Sequence, residues 1–185
     1  MRLIILDRDG VINEDSMDYI KSPEEWQPIP GSLEAIAQLN RAGYRVVVVT
    51  NQSAIGRGLL DLNTLCRIHD KMAHSLADVG GFIEAVFFCP HRPEDNCECR
   101  KPKPGLLKDI GARLDMDLTD VPAIGDSLRD LQAAAAVGAR AILVRTGKGE
   151  ATREAIQGKM HVAVYRDLAE AVDQLLLASA LRSAP

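Results

Sequence analysis

The chain opens with an apolar run, Leu3-Ile4-Ile5-Leu6, that stops at two carboxylates one residue apart, Asp7 and Asp9, followed by Gly10. A buried parallel strand that delivers chemistry at its carboxyl end has this form. Alternation along an extended backbone sets Asp7 and Asp9 at the same phase, so both can point into one small volume. Two carboxylates held that close need a cation or a shared proton. Mg²⁺ binding and nucleophilic attack are the chemistries this implies. The same letters also describe a strand that runs into a solvated turn, because Asp and Gly are ordinary turn residues.

A second cluster lies at Cys89-Pro90-His91 and Cys97-Glu98-Cys99, with three thiols and an imidazole in eleven residues. Tetrahedral zinc takes four such donors, and a filled coordination sphere implies a structural rather than a catalytic ion. The intervening Arg92-Pro93-Glu94-Asp95-Asn96 is polar and has little to bury, so a metal would explain how it holds a shape. The alternative is a flexible loop with reactive thiols. Arg100 and Lys101 follow Cys99 directly, and Pro102 and Pro104 stiffen the segment, so a rigid loop would fix where both cations point. A guanidinium suits a second phosphate or sugar hydroxyls, against the alternative of a surface Arg-Lys pair. Cys66 stands apart. It falls in a helical pattern with Leu62, Leu65, His69, Met72 and Leu76, and reads as a small buried hydrophobe beside a packed core histidine.

A chain of 185 residues is long enough for one domain with a full core. A net charge of -4 and 4% aromatic residues argue against nucleic-acid binding. The apolar stretch ended by Asp7 is too short for a signal peptide, and no run reaches the roughly 18 apolar residues that span a bilayer. The expectation is a soluble, cytoplasmic chain with no membrane or nucleic-acid partner, and a monomer for want of a long amphipathic extension.

The elements that must position these residues alternate. Apolar, β-branched runs predict strands over 3–6, 45–49, 84–88, 121–124, 141–144 and 162–165. Helical periodicity falls at 32–41, 62–78, 105–114, 128–137 and 168–177, and residues 181–185 are expected to fray. This alternation predicts right-handed crossovers and a Rossmann-like, doubly wound α/β fold with a mostly parallel sheet covered on both faces. Polar residues punctuate the strand ends: Asp7 and Asp9, then Thr50-Asn51-Gln52-Ser53, then Cys89 and His91, then Gly125-Asp126-Ser127. Open α/β sheets bind ligands beyond the carboxyl ends of their strands, so these groups should meet at one rim. Asp126 could equally cap the helix from Leu128, and Asp130 could be a first-turn acid favoured by the helix dipole. Thr50-Asn51 is either a strand-ending turn or a phosphate grip.

Taken in order, Asp7-Arg8-Asp9-Gly10, Thr50-Asn51, Lys101-Pro102 and Gly125-Asp126 with Asp130 resemble the motifs of the haloacid dehalogenase superfamily over residues 3 to about 145. The likeness is closest to its small, nearly capless phosphatases that carry a zinc loop. The resemblance implies that Asp7 attacks phosphorus to form an aspartyl-phosphate, while Asp9 protonates the leaving alkoxide and later activates water. Thr50 and the following amides would hold the phosphoryl group, and Lys101 would supply a fixed positive charge. Mg²⁺ would sit on Asp7, Asp126 and the backbone carbonyl of Asp9, and Zn²⁺ on Cys89, His91, Cys97 and Cys99. Asp130 would orient Lys101. Asn51, Gln52, Ser53 and Arg100 would contact substrate, with Asp15 and Asp18 in a stretch, 13–19, at the sugar end. Lys103 competes with Lys101 for the motif position, and Arg57 is either a surface residue or a phosphate contact.

The implied substrate is a small sugar phosphate, and the implied reaction is loss of the 7-phosphate from a heptose 1,7-bisphosphate, in lipopolysaccharide core biosynthesis. Histidinol-phosphate hydrolysis shares every visible motif. A silent, zinc-stabilised phosphate-binding module is a third reading, opposed by the presence of both Asp7 and Asp9. The interval from Asn13 to Ser32 is too short for a large cap, and the loop from Cys89 to Cys99 is short as well, so selection falls to open loops.

Overall fold

The apolar runs pair into one six-stranded sheet. A computed structural model describes residues 2–183, without the side chains of residues 182 and 183. The strands are β1 (Arg2–Leu6), β2 (Tyr44–Asn51), β3 (Ala85–Cys89), β4 (Pro122–Gly125), β5 (Arg140–Val144) and β6 (Ala163–Tyr165). They lie in the order β3-β2-β1-β4-β5-β6, and every neighbouring pair is parallel.

Parallel strands of this kind are buried on both faces, which is why their sequences read as unbroken apolar runs. Ile4 and Leu6 of β1 join Val46 and Val48 of β2 in one core, while Leu3 and Ile5 join Val47 and Val49 in the other. Helices α1 (Ser32–Arg41), α3 (Leu62–Asp78) and α7 (Leu168–Ser183) cover the first face through Ile36, Leu39, Ile68, Met72, Leu168 and Val172. Helices α4 (Gly105–Leu114) and α5 (Leu128–Ala135) cover the second through Leu106, Leu107, Ile110, Ala133 and Ala134.

The five expected helices and six expected strands are all present, with ends moved by a few residues. Three short elements were not anticipated: α2 (Ser53–Gly56), α6 (Gly149–Ile156) and a 3₁₀ turn at Pro93–Asp95. Each has too few apolar positions to show a period. Helix α7 runs on to Ser183 instead of fraying from Leu181, because Ala178 to Ser183 holds neither Gly nor Pro; residues 184 and 185 lie outside the described residues. Two positions on α3 also correct the sequence reading. The buried stripe is Leu65, Ile68, Met72 and Leu76, so Cys66, one residue or about 100° round from Leu65, is exposed. Leu62, in the first turn, is 54% exposed.

Pairing of Leu6 with both Val48 and Ile124 levels the ends of β1, β2 and β4. The chain turns one way from β1 to reach β2 and β3 and the other way to reach β4, so the crevice beyond Leu6 is the topological switch point of the sheet. The segment from Val11 to Gly31 is no cap. It is pinned by fully buried Val11, Ile12 and Trp26 and by a bridge between Asn13 and Pro28. Among the described residues no helix is long and apolar enough to cross a membrane.

Candidate active site

Asp7 follows β1 directly, and its amide donates to the carbonyl of Ile124 at 2.9 Å, which ties the carboxylate to the β1–β4 seam. Lys101 stands against it. Its Nζ lies 3.0 Å from Asp7 Oδ1 and 2.6 Å from Asp130 Oδ1, and donates to the Val49 carbonyl at 2.8 Å. The side chain of Asn51 clamps the Lys101 backbone on both sides, accepting from its amide at 3.2 Å and donating to its carbonyl at 3.1 Å. Lys101 is buried against these carboxylates, while Lys103 is half-exposed and paired with Glu98, so Lys101 is the lysine brought to the cleft. Asp130 is ion-paired with that lysine, the contact that an orienting role would use. Burial alone would lift Asp130, but Lys101 holds it below the usual carboxylate range.

Asp9 is gripped differently. Its neighbour Arg8 is fully buried and forks onto it, with Nε to Oδ1 and Nη2 to Oδ2 both at 3.0 Å. Asn13 Nδ2 at 2.9 Å and Gln52 Nε2 at 2.9 Å complete the set. Burial works against the Asp9 charge, but these donors, Arg8 first, hold it below the usual carboxylate range. On the far side Arg8 Nη1 meets His69 Nε2 at 3.2 Å. Burial, then the Arg8 charge, pushes His69 down to about 4, so its imidazole is neutral and Nε2 accepts. His69 is half-buried against Phe88, a packed histidine with a hydrogen-bonding task. The strand ends at Leu6, so what brings Asp7 and Asp9 to one cleft is the turn held by Arg8 and Asn13, and strand alternation is not the cause.

Asp126 closes the third side. It does not cap α5. Ser127 does that, in a reciprocal capping box with Asp130. The Asp126 carboxylate instead accepts from the Lys148 amide at 2.8 Å and sits between Gly10 and Gly147. A Cβ at either glycine would come within 2.2 Å of Asp126 Oδ2, so both positions require glycine on space alone.

Ligand atoms of Asp7, Asp126 and Asp130 lie within 4.8 Å of one another. Burial pushes Asp7 up to about 8, against the pull of Lys101 and with the push of Asp130, Asp126 and Asp9. Burial and Asp130 push Asp126 up to about 6. Crowded, buried carboxylates with raised proton affinity are the donor set a hard divalent cation takes, and Mg²⁺ fits Asp7 and Asp126.

These residues line a cleft of about 320 Å³. Asn51, Gln52, Ser53, Thr50, Arg100 and Asp15 all face it, as do Tyr19 and Arg57. Asp15 does so while ion-paired with Lys148. Thr50 and Gln52 are mutually bonded, Gln52 Nε2 donating to Thr50 Oγ1 at 2.9 Å. Asp18 is not brought to the cleft: it is exposed, and its carbonyl accepts from Lys21 at the outer edge of the loop. Asn13, expected at the sugar end, is fully buried beneath Asp9. The sequence reading passed over Arg8, Arg129 and Lys148. Lys148 was within reach, because the β5–α6 loop ends a strand at the same rim; Arg8 gave no signal beyond its place between two aspartates.

The zinc candidates also converge, with all four donor atoms within 4.8 Å of one another. Sulfur separations are 3.6 Å for Cys89–Cys97, 3.2 Å for Cys89–Cys99 and 3.3 Å for Cys97–Cys99, with His91 Nδ1 3.2 Å from Cys99 and 3.6 Å from Cys89. Those distances are far beyond a disulfide of about 2.05 Å. They approach the roughly 3.7 Å edge of a tetrahedron with Zn–S bonds of about 2.3 Å. Burial and the neighbouring thiols push Cys89 up to about 12, so a thiolate there needs a cation beside it. The set fits zinc. Arg100 is tied to this loop, its Nη1 donating to the His91 carbonyl at 3.2 Å.

Comparison with known proteins agrees with this geometry. The family described as haloacid dehalogenase-like hydrolase matches residues 4–60, and the one described as HAD-hydrolase-like matches residues 98–171. The chain is 55% identical to D-glycero-beta-D-manno-heptose-1,7-bisphosphate 7-phosphatase of Bordetella bronchiseptica over 95% of this chain and 98% of the relative. It is 48% identical to the protein of the same name from Pseudomonas aeruginosa, over 94% of this chain and 97% of that one. The crystal structure of the B. bronchiseptica D,D-heptose 1,7-bisphosphate phosphatase with magnesium and phosphate superposes with a TM-score of 0.93 at 54% identity, covering 96% of this chain and 99% of that one. With its switch-point aspartates, its buried lysine and these relatives along nearly its whole length, the chain belongs to the haloacid dehalogenase-like hydrolases.

Proposed function

We propose that this chain is a Mg²⁺-dependent phosphatase that removes the 7-phosphate of D-glycero-D-manno-heptose 1,7-bisphosphate, acting as a single-domain cytoplasmic monomer in lipopolysaccharide core biosynthesis. The observation that carries the chemistry is the buried line Asp7–Lys101–Asp130 at the switch point, 3.0 and 2.6 Å long. It is more than phosphate binding requires, because a carboxylate held against a lysine is a nucleophile aimed into an anion site. The substrate assignment draws on the relatives of 48–55% identity, and none of these carries a histidinol-phosphate name.

An Asp7 oxygen forms a bond to phosphorus as the bond to the sugar oxygen breaks. Lys101, held by Val49 and Asp130, keeps a positive charge beside the transferring group. Mg²⁺ on Asp7 and Asp126 would neutralise phosphoryl oxygens and keep Asp7 ionised. Asp9 takes up a proton as substrate arrives and gives it to the departing alkoxide. In the second half Asp9, returned to the ionised form that Arg8 favours, takes a proton from water as the water oxygen attacks phosphorus and Asp7 leaves. Zn²⁺ on Cys89, His91, Cys97 and Cys99 would hold the loop that carries Arg100 and Lys101.

Phosphate release with Mg²⁺, measured on heptose 1,7-bisphosphate beside histidinol phosphate, tests the reading. Strong preference for the bisphosphate, with heptose 1-phosphate as product, is expected. Preference for histidinol phosphate would retain the mechanism and overturn the substrate.

A further inference from the structure

Arg8 is fully buried between the two reacting aspartates, and among the described residues its guanidinium bonds to two partners only, Asp9 and His69. Nε and Nη2 fork onto the two Asp9 oxygens at 3.0 Å each, and Nη1 reaches His69 Nε2 at 3.2 Å. A guanidinium carries donors and no acceptor, so His69 Nε2 accepts and the ring proton lies on Nδ1. His69 comes from α3, 61 positions along the chain, and its ring leans on Phe88 with centroids 6.5 Å apart. The buried residues on either side of it in α3, Ile68 and Met72, are apolar. Packing alone would accept another apolar residue at this edge of the stripe, whereas a buried guanidinium needs an acceptor for each arm. Neither Arg8 nor His69 lines the cleft, so neither touches the substrate.

We propose that His69 is a positioning residue for proton transfer: by fixing the Nη1 arm it sets the plane of the Arg8 fork, and with it the direction in which Asp9 offers its proton to the leaving oxygen. The proposal rests on the acid–base role of Asp9 given above. The guanidinium is planar and its fork rigid, so an arm fixed on one side fixes the pair of bonds on the other. Asn13 and Gln52 also hold Asp9, at 2.9 Å each, so loss of the His69 contact tilts the carboxyl without releasing it. General acid catalysis contributes about 10²- to 10⁴-fold and misplacement forfeits part of that, so the expected loss is about 10-fold. The loss falls on an alkoxide, which needs a proton to leave, and spares a leaving group that is stable as an anion.

The test compares kcat/KM of Mg²⁺-loaded protein on two alkoxide substrates, heptose 1,7-bisphosphate and benzyl phosphate, with kcat/KM on p-nitrophenyl phosphate, whose phenolate leaves without a proton. This quantity covers the first transfer, in which Asp9 is the acid, and not the later hydrolysis at Asp7. His69→Leu, of similar bulk but with no acceptor, should lower the alkoxide values about 10-fold and leave the p-nitrophenyl value within about twofold. His69→Gln carries an amide oxygen to the place of Nε2 and should recover most of the loss. His69→Asn is too short to reach Nη1 and should behave as the leucine variant, which keeps the test open if leucine impairs folding. Equal losses on all substrates, no loss on any, or a glutamine variant no better than asparagine would overturn the proposal. Asp9→Asn separates the two readings. If it also lowers all substrates equally, the acid role of Asp9 falls together with that of His69. If it spares p-nitrophenyl phosphate while the His69 variants show no such selectivity, His69 alone falls.

Discussion

The phosphoryl end of the cleft and the Cys89–Cys99 loop beside it are built by opposite means. At the phosphoryl end the charged groups are buried or half-buried and bonded to several others: Lys101 to three oxygens, and Asp9 to Arg8, Asn13 and Gln52. Two apolar cores, one on each face of the sheet, fix the backbone that carries them. The loop from Cys89 to Cys99 has one short 3₁₀ turn, and its ion pairs are exposed. What converges there is four soft donors. The difference teaches that a buried charge network needs a sheet to support it, whereas a polar loop can borrow rigidity from one ion.

The comparison breaks most visibly at Asp7. Asp7→Asn should lower kcat by more than about 10³-fold while leaving the fold intact, as read by steady-state kinetics and circular dichroism. The sign of its titration supports the second half. A folded-state value raised to about 8 means that the metal-free protein is stabilised by protonated Asp7 below about pH 4 and loses that contribution as the pH rises through about 8. Removing the charge should therefore not destabilise metal-free protein at pH 8, and normal turnover would sink the nucleophile assignment.

Lys101 and Lys103 sharpen the contrast two residues apart. Lys101→Met leaves Asp7 and Asp130 buried without their cation and should cost about 3–5 kcal/mol in the metal-free protein, read by urea unfolding. Lys103→Ala removes a solvent-accessible pair with Glu98 and two hydrogen bonds to Asn96, and should move the unfolding midpoint far less. Equal effects would show that the two regions do not differ in kind.

A smaller effect is expected from the loop. The purified chain should hold about one zinc ion, and Cys97→Ser should lose it, lowering the thermal midpoint and raising KM through Arg100 while the sheet remains. Zinc-free protein of full stability, shown by elemental analysis and calorimetry, would refute the assignment.

The elements that touch the cores were legible in the letters. The run from Val46 to Val49 is buried throughout, as an unbroken apolar run predicts, and the stripe of Leu65, Met72 and Leu76 carries the period of its burial. Elements α2, α6 and the 3₁₀ turn escaped because they bury too little to leave a period. The same limit explains Cys66, whose place one step off the stripe is a matter of rotation about the helix. Among site residues, Asp7, Lys101, Asp126 and Asp130 meet as their positions after strands and in the first turn of α5 suggested.

Sequence by itself determined the order of the strands and of the longer helices, the carboxyl-end placement of the aspartates and the clustering of three cysteines with a histidine, because periodicity and short spacing are local. Tertiary structure alone decided that Arg8 and His69 would back Asp9, that Asp18 would face outward and Asn13 inward, and that Arg129 would stand beside Arg100. Those relations join residues far apart in the chain, or depend on how a turn rotates, and only the packed sheet sets such distances.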